Sequence, residues 1–176
     1  LKILDVGCGG GIICEPLARL GAKVTGIDFS PNNITAAKIH SRKNKLKINY
    51  IYQDVEKVKL DGKFDLILMF EVLEHLDDWK KTIKKIKKNL NKNGIIIIST
   101  INRNSLSKLF AISIAENILK WIPKGTHDYN KLIKPEELKK TLTQENLHFK
   151  NIKGLVFNPL NGEWKLSKNY IINYFC

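Results

Sequence analysis

The chain has 176 residues, 43% of them hydrophobic, and a formal net charge of +13. That length suits one domain, 1–176, around one core, and the apolar share excludes a disordered chain. The surplus of 30 Lys and Arg over 17 Asp and Glu points to an anionic partner, either nucleic acid or an acidic membrane surface, and says nothing about fold.

A first strand is predicted over Lys2–Val6, followed by a glycine-rich run and a helix. Pro16 sits inside that helical stretch, so the regular helix should start late or bend there. A second strand is predicted over Lys23–Ile27, ending at Asp28. Ser30 then reads as a helix cap with Pro31 at the first helical position. Third and fourth strands are predicted at Ile48–Tyr52 and Phe64–Phe70.

From Trp79 the pattern turns helical. Trp79, Ile83, Ile86 and Leu90 share one face, and Lys80, Lys81, Lys84, Lys85, Lys87 and Lys88 cover the other. Asn93-Gly94 reads as the end of this helix, and Ile95–Ser99 as the fifth strand. Asn102–Ile122 reads as a long apolar helical stretch and residues 123–130 as a loop. Pro135 opens another helix, with Glu136 and Glu137 near its positive end. Strands near Phe149–Phe157 and Lys168–Phe175 close the chain. Such alternation predicts βαβ units and a mostly parallel sheet.

The apolar runs are too short to span a bilayer and read as buried strands. Cys8, Cys14 and Cys176 match no metal or disulfide spacing, and an odd count without a secretory segment points to a reducing compartment. The chain opens on a strand without Met, so a preceding N-terminal segment is expected.

The chemistry concentrates at Asp5-Val6-Gly7-Cys8-Gly9-Gly10-Gly11, directly after a strand and before a helix. Glycines let a backbone turn sharply and approach a ligand closely. The following helix start offers free N–H groups and partial positive charge. Asp28 ends the next strand, where a carboxylate can accept both ribose hydroxyls. Asp54 follows the third strand and could accept from an adenine amino group. Together these describe an adenosine site. The dinucleotide fingerprint needs a further Gly where this chain has Ile12. The run instead resembles the D-x-G-x-G motif of class I methyltransferases.

Glu71, Glu74 and His75 follow the fourth strand, at the end of a parallel sheet that faces ligands. If the segment is helical, the three share a face and could hold Mg²⁺. Alternatively His75 is a base, or the trio is a polar cap that packs the loop.

The segments DVGCGGGI, GIDFSP, FEVLEHL, STINRN, PKGTHDYNKLIKPEEL and NPLNGEWKL resemble the ubiquinone-biosynthesis O-methyltransferases of bacteria and mitochondria. The match runs from Ile3 to Tyr174, and the stretches at 99–104 and 123–138 are the most diagnostic. The resemblance implies a Rossmann-like, seven-stranded α/β fold with a helical insert at 103–134. It implies methylation of a ring hydroxyl of polyprenyl catechols, 3-demethylubiquinol and 2-polyprenyl-6-hydroxyphenol, with S-adenosylmethionine as donor. Cofactor contacts carry over to Gly7, Asp28 and Phe70, the last through its backbone. Asp5, Gly9 and Asp54 complete the cofactor set. Glu71, Glu74 and His75 match positions assigned to Mg²⁺, with Glu71 and His75 as catalytic candidates. The family also implies several dozen preceding residues and a place on an inner membrane, on its cytoplasmic or mitochondrial matrix side, within a quinone-biosynthesis complex.

The insert is associated with anionic lipid in that family. Leu106, Leu109, Phe110, Ile114, Ile118 and Trp121 give it an apolar surface, beside Lys108, Lys120 and Lys124. An ordinary lid helix would look the same. His127 and Asp128 could line the substrate pocket or stabilise the loop.

Two rival functions are weighed. An RNA methyltransferase would use the Lys80–Lys88 face, but the segment after the fourth strand lacks an Asn/Asp-Pro-Pro-aromatic motif and there is no Pro-Cys pair. No nucleic-acid partner is therefore expected. A non-catalytic cofactor-binding scaffold is the other rival, and the intact acidic cluster argues against it.

Overall fold

Neighbouring residues of a strand point to opposite faces. In β1 (Lys2–Val6) four successive residues from Ile3 are buried, so both faces of this strand are covered, as in parallel sheets flanked by helices. The computed structural model describes residues 1–109, 128–158 and 161–176. By their contacts these residues divide into two compact units, 1–72 with 78–97, and 73–77 with 98–176.

In the first unit, β1 pairs in parallel with β2 (Lys23–Asp28) and with β4 (Phe64–Phe70), and β2 pairs in parallel with β3 (Asn49–Tyr52). The strand order is β3-β2-β1-β4-β5, with β5 spanning Leu90–Ile101. Helix α1 (Cys14–Arg19) begins late, as Pro16 requires. The proline occupies the first turn, where its missing N–H has no helical partner to lose. Helix α2 (Pro31–Lys43) starts as predicted, with Ser30 Oγ accepting from Asn33 N at 3.3 Å. Glu15 ties the two helices: its carboxylate meets His40 Nδ1 and accepts from the Asn44 amide, each at 3.1 Å.

Helix α3 (Trp79–Lys87) is capped by Asp78, whose carboxylate accepts from Lys81 N at 2.9 Å. Ile83 and Ile86 are buried on its inner face. The helix ends earlier than Asn93-Gly94, which lies inside β5. Asn89 makes the stop. Its side-chain amide donates to the Leu60 and Gly62 carbonyls, and its own carbonyl accepts from Phe64 N. Gly94 serves space rather than a turn: a Cβ there would lie 2.8 Å from Leu90 Cδ1.

In the second unit, the end of β5 pairs antiparallel with β8 (Asn173–Phe175), Thr100 opposite Tyr174. With β8 this sheet has six described strands, and a bridge from Lys153 to Phe175 begins a seventh position at its edge. The mostly parallel α/β class is as the sequence predicts. Beyond Lys153 the chain leaves the sheet as a hairpin of β6 (Gly154–Asn158) and β7 (Glu163–Ser167). The sequence reading had one strand here and none at Glu163–Ser167. The second strand needs a reversal at Asn161-Gly162, where Gly162 adopts φ +69°.

Helix α4 (Ser105–Ser107) is capped by Asn104, and helix α5 (Pro135–Gln144) opens at Pro135 as predicted. Tyr174 is fully buried and donates to the Ile133 carbonyl at 3.0 Å. Asp128 accepts from Asn130 N at 2.9 Å, a loop-stabilising turn. Leu106 and Leu109 of the insert are exposed. Phe110, Ile114, Ile118, Lys120, Trp121, Lys124 and His127 lie outside the described residues.

Asp5 is among the buried acids of the first unit. Asp5 is 2% exposed and accepts from Cys14 Sγ at 3.2 Å. Burial pushes its carboxyl up to about 6, the Cys14 hydrogen bond opposes that, and the Asp28 charge adds to it.

Two outcomes follow from this packing. The unfolded chain should ionise Asp5 near the ordinary carboxylate value and the folded one only near pH 6, so the fold should lose about 3 kcal/mol as pH rises through that window. In Asp5→Asn that slope should vanish, read from urea midpoints at pH values across the window; parallel profiles would refute the assignment. At Gly154 a Cβ would lie 1.9 Å from the Asn169 carbonyl oxygen, so Gly154→Ala should cost about 1–3 kcal/mol in urea unfolding.

Candidate active site

The loop after β1 is built by glycines that face in two directions. Gly7 and Gly11 adopt φ of +71° and +84°, the left-handed region. A Cβ on Gly7 would lie 2.8 Å from Val72 Cγ2, and one on Gly11 would lie 2.2 Å from Tyr50 Oη. Gly9 and Gly10 have nothing within 4 Å of that position. The loop is thus packed tightly underneath and open above, a cradle of bare backbone. Gly7 N and Cys8 N both donate to the Ile27 carbonyl, at 2.8 and 2.9 Å, which fastens the loop to β2.

Asp28 completes the fastening. Its Oδ2 accepts from Gly9 N at 2.8 Å, and its Oδ1 accepts from Ser30 N at 2.8 Å and Asn33 Nδ2 at 3.2 Å. A carboxylate has about four acceptor positions. Three are used here. Asp54 accepts from Glu56 N at 2.8 Å and pairs with Lys57 at 3.1 Å, and these two partners hold its carboxyl below the usual range.

Asp5 lies beneath the loop instead of beside its open face, so it supports the cradle from within. Phe70 ends β4 half-buried. The sequence reading missed Tyr50, Cys8 and Cys14, which a Cβ on Gly26 would meet at 3.0 Å or less, and of which Tyr50 also lies under Gly11. Burial pushes the Tyr50 hydroxyl above its ordinary range. The reading also missed as site residues Ile12 in the loop after β1, Phe29 directly after β2 and Tyr52 at the end of β3, all large and exposed. The signal was available: each is apolar where a polar loop residue is usual.

The expected metal trio does not form. Glu71 takes φ +51°, which interrupts any helix at its first member. Only Leu73–His75 is helical, as a single 3₁₀ turn. Within the second unit Glu74 is buried, its Oε2 accepting from Thr100 Oγ1 at 2.9 Å, while His75 is exposed. Among the described residues, no group of three His, Cys, Asp or Glu side chains is placed to hold a metal.

The comparisons with known proteins agree with this geometry. A family model described as a methyltransferase domain matches residues 1–155. A ubiquinone biosynthesis O-methyltransferase of Rickettsia typhi is 48% identical over 175 residues, covering 99% of this chain and 71% of that protein. The protein of the same name from Pelagibacter ubique is 48% identical over 174 residues, covering 99% and 72%. Among solved structures, a SAM-dependent methyltransferase from Methanosarcina mazei superposes with a TM-score of 0.73 at 20% identity, covering 99% of this chain and 89% of that one. Magnesium protoporphyrin IX methyltransferase from Synechocystis with bound SAH gives 0.69 at 20% identity, covering 98% and 70%. A glycine cradle tied to an acid at the end of β2, on this fold and with these relatives, places the chain in the family of ubiquinone biosynthesis O-methyltransferases, enzymes dependent on S-adenosylmethionine.

Proposed function

We propose that this protein methylates a ring hydroxyl of a polyprenyl catechol, with S-adenosylmethionine bound on the glycine loop after β1. The observation that carries the reading is the open backbone at Gly9-Gly10, pinned by Asp28. Bound there, S-adenosylmethionine supplies a methyl group on a sulfonium that is already a good leaving group.

The chain's own residues then bind, orient and move one proton. Asp28 accepts a ribose hydroxyl on its remaining acceptor position. Phe29 and Tyr52 offer exposed apolar faces to a purine, and Asp54 accepts from its amino group once Lys57, an exposed partner, moves aside. A phenol with a pKa of about 10 is a poor nucleophile at neutral pH. We assign its proton to His75, which is exposed and lies five residues past the end of β4. Glu74 does not touch substrate in this reading. Its bond to Thr100 holds the short turn that carries His75. The left-handed Glu71 re-aims the chain into that turn, at a cost of about 1–2 kcal/mol.

The substrate's polyprenyl tail places the protein at an anionic membrane surface, the cytoplasmic face of a bacterial inner membrane or the matrix face of a mitochondrial one. No described helix is long and apolar enough to cross a membrane, so the contact is a peripheral one in this reading. A place in a quinone-synthesis complex accords with it.

Transfer of labelled methyl from S-adenosylmethionine to a prenylated catechol tests the reading. A folded protein that binds the demethylated cofactor yet leaves every such catechol unlabelled would overturn it. Asp28→Ala should raise the Kd for that product at least about tenfold, since a hydrogen bond to a charged group is worth about 1.5–3 kcal/mol. Calorimetry reads this directly. His75→Ala should leave that Kd unchanged and lower kcat by about 10²–10⁴. Equal kcat in the two proteins would remove His75 from the chemistry.

A further inference from the structure

The β6–β7 hairpin turns large apolar side chains outward. Leu155 stands opposite Leu166, and Phe157 opposite Trp164. Paired residues and those two apart share a face, so these four form one continuous surface. It is open: Trp164 is 59% exposed and Leu166 is 68% exposed. The Phe157 and Trp164 rings meet with centroids 5.0 Å apart at a tilt of 44°, which makes the apolar surface continuous across the two strands. A two-stranded hairpin gains little stability by itself. Single exposed apolar residues need no explanation, but a contiguous patch marks an interaction site.

The charge around the patch selects the partner. From Leu147 to Cys176 the chain carries Lys150, Lys153, Lys165 and Lys168 against one carboxylate, Glu163. Glu163 already meets Lys165 at 3.2 Å. Lys165 and Glu163 lie on the other face, which leaves Lys153 and Lys168, two residues from Leu155 and Leu166 along the chain, beside exposed Trp and Phe; that is the composition of a water–lipid boundary, where rings sit among headgroups and lysine stems reach anionic phosphates. The exposed face encloses nothing, so it suits a continuous surface better than a single small molecule.

We propose that the Leu155, Phe157, Trp164 and Leu166 face of the hairpin inserts into the headgroup–acyl boundary of an anionic bilayer. It is a docking surface separate from the insert at 103–134, and it rests on the reading above in that the substrate is membrane-borne. Docking through the hairpin would hold the enzyme on the surface where that substrate resides.

The chain has three tryptophans. In intact protein carrying Trp79→Phe and Trp121→Phe, Trp164 is the sole reporter. With vesicles of phosphatidylglycerol and phosphatidylcholine its emission should shift to the blue and be quenched by brominated acyl chains. Phosphatidylcholine alone, or about 0.5 M salt, should weaken binding several-fold. Trp164→Ser with Leu166→Ser should lower partition onto the anionic vesicles by about tenfold or more. Its turnover on a short-chain, water-soluble catechol should stay at the wild-type value. Unchanged partition in the double variant, or an unshifted and unquenched Trp164 in vesicle-bound protein, overturns the proposal. So does a dimer in sedimentation that the double variant abolishes while vesicle partition persists, because the face then belongs to a second copy. Should the double variant fail to fold, quenching of Trp164 on the native hairpin decides. Loss of catechol turnover with vesicle binding intact would instead count against the catalytic reading alone.

Discussion

The Asp28 carboxylate is the constraint on which the cofactor site depends. It accepts from Gly9 N in the loop after β1 and from Ser30 N and Asn33 Nδ2 at the start of α2. Three parts of the chain are thereby tied to one side chain at the end of β2. Each bond to an ionised acceptor is stronger than a neutral one, and three of them preorganise the loop. A ligand hydroxyl that binds the fourth acceptor position meets a group already in place, so little ordering cost falls on binding.

This arrangement sets the demands on its surroundings. A loop drawn toward Asp28 must pass close over β3 and under Val72, which only Gly11 and Gly7 permit. The floor is filled by Tyr50, Cys8 and Cys14, all buried. Asp5 lies in that floor and is pushed toward neutrality by burial, with the Asp28 charge adding to the effect. Two nearby acids thus have different roles because their environments differ. Asp28 accepts three hydrogen bonds at the loop, while Asp5 acts as a buried strut.

In the second unit one turn separates structure from chemistry. Glu74 faces inward to Thr100, and His75 faces solvent. Of the residue types that suggested a metal site, Glu74 is a buried brace against Thr100 and His75 is exposed. The hairpin beyond Gly154 follows the opposite logic. Its apolar side chains are turned out where a globular core would take them in, and the lysines beside them give that surface a sign.

Much of this was determined by the sequence alone. Local chemistry located β1, β4 and the start of α2, because buried runs, Ser30 and Pro31 act within a few residues of themselves. The glycine run and Asp28 were legible as a site for the same reason, and the segments shared with the family named its chemistry class by resemblance. Tertiary structure alone decided three things. The end of α3 was set by Asn89 bonding to Leu60 and Gly62, partners 29 and 27 residues away in the chain. The direction of Glu74 was set by Thr100, 26 residues on, against a helical spacing that would have placed it beside His75. The number of acceptors left on Asp28 was set by how closely Gly9 approaches it. Spacing in a sequence fixes which residues can share a face only once the backbone conformation is known, and here that conformation was chosen by contacts distant in the chain.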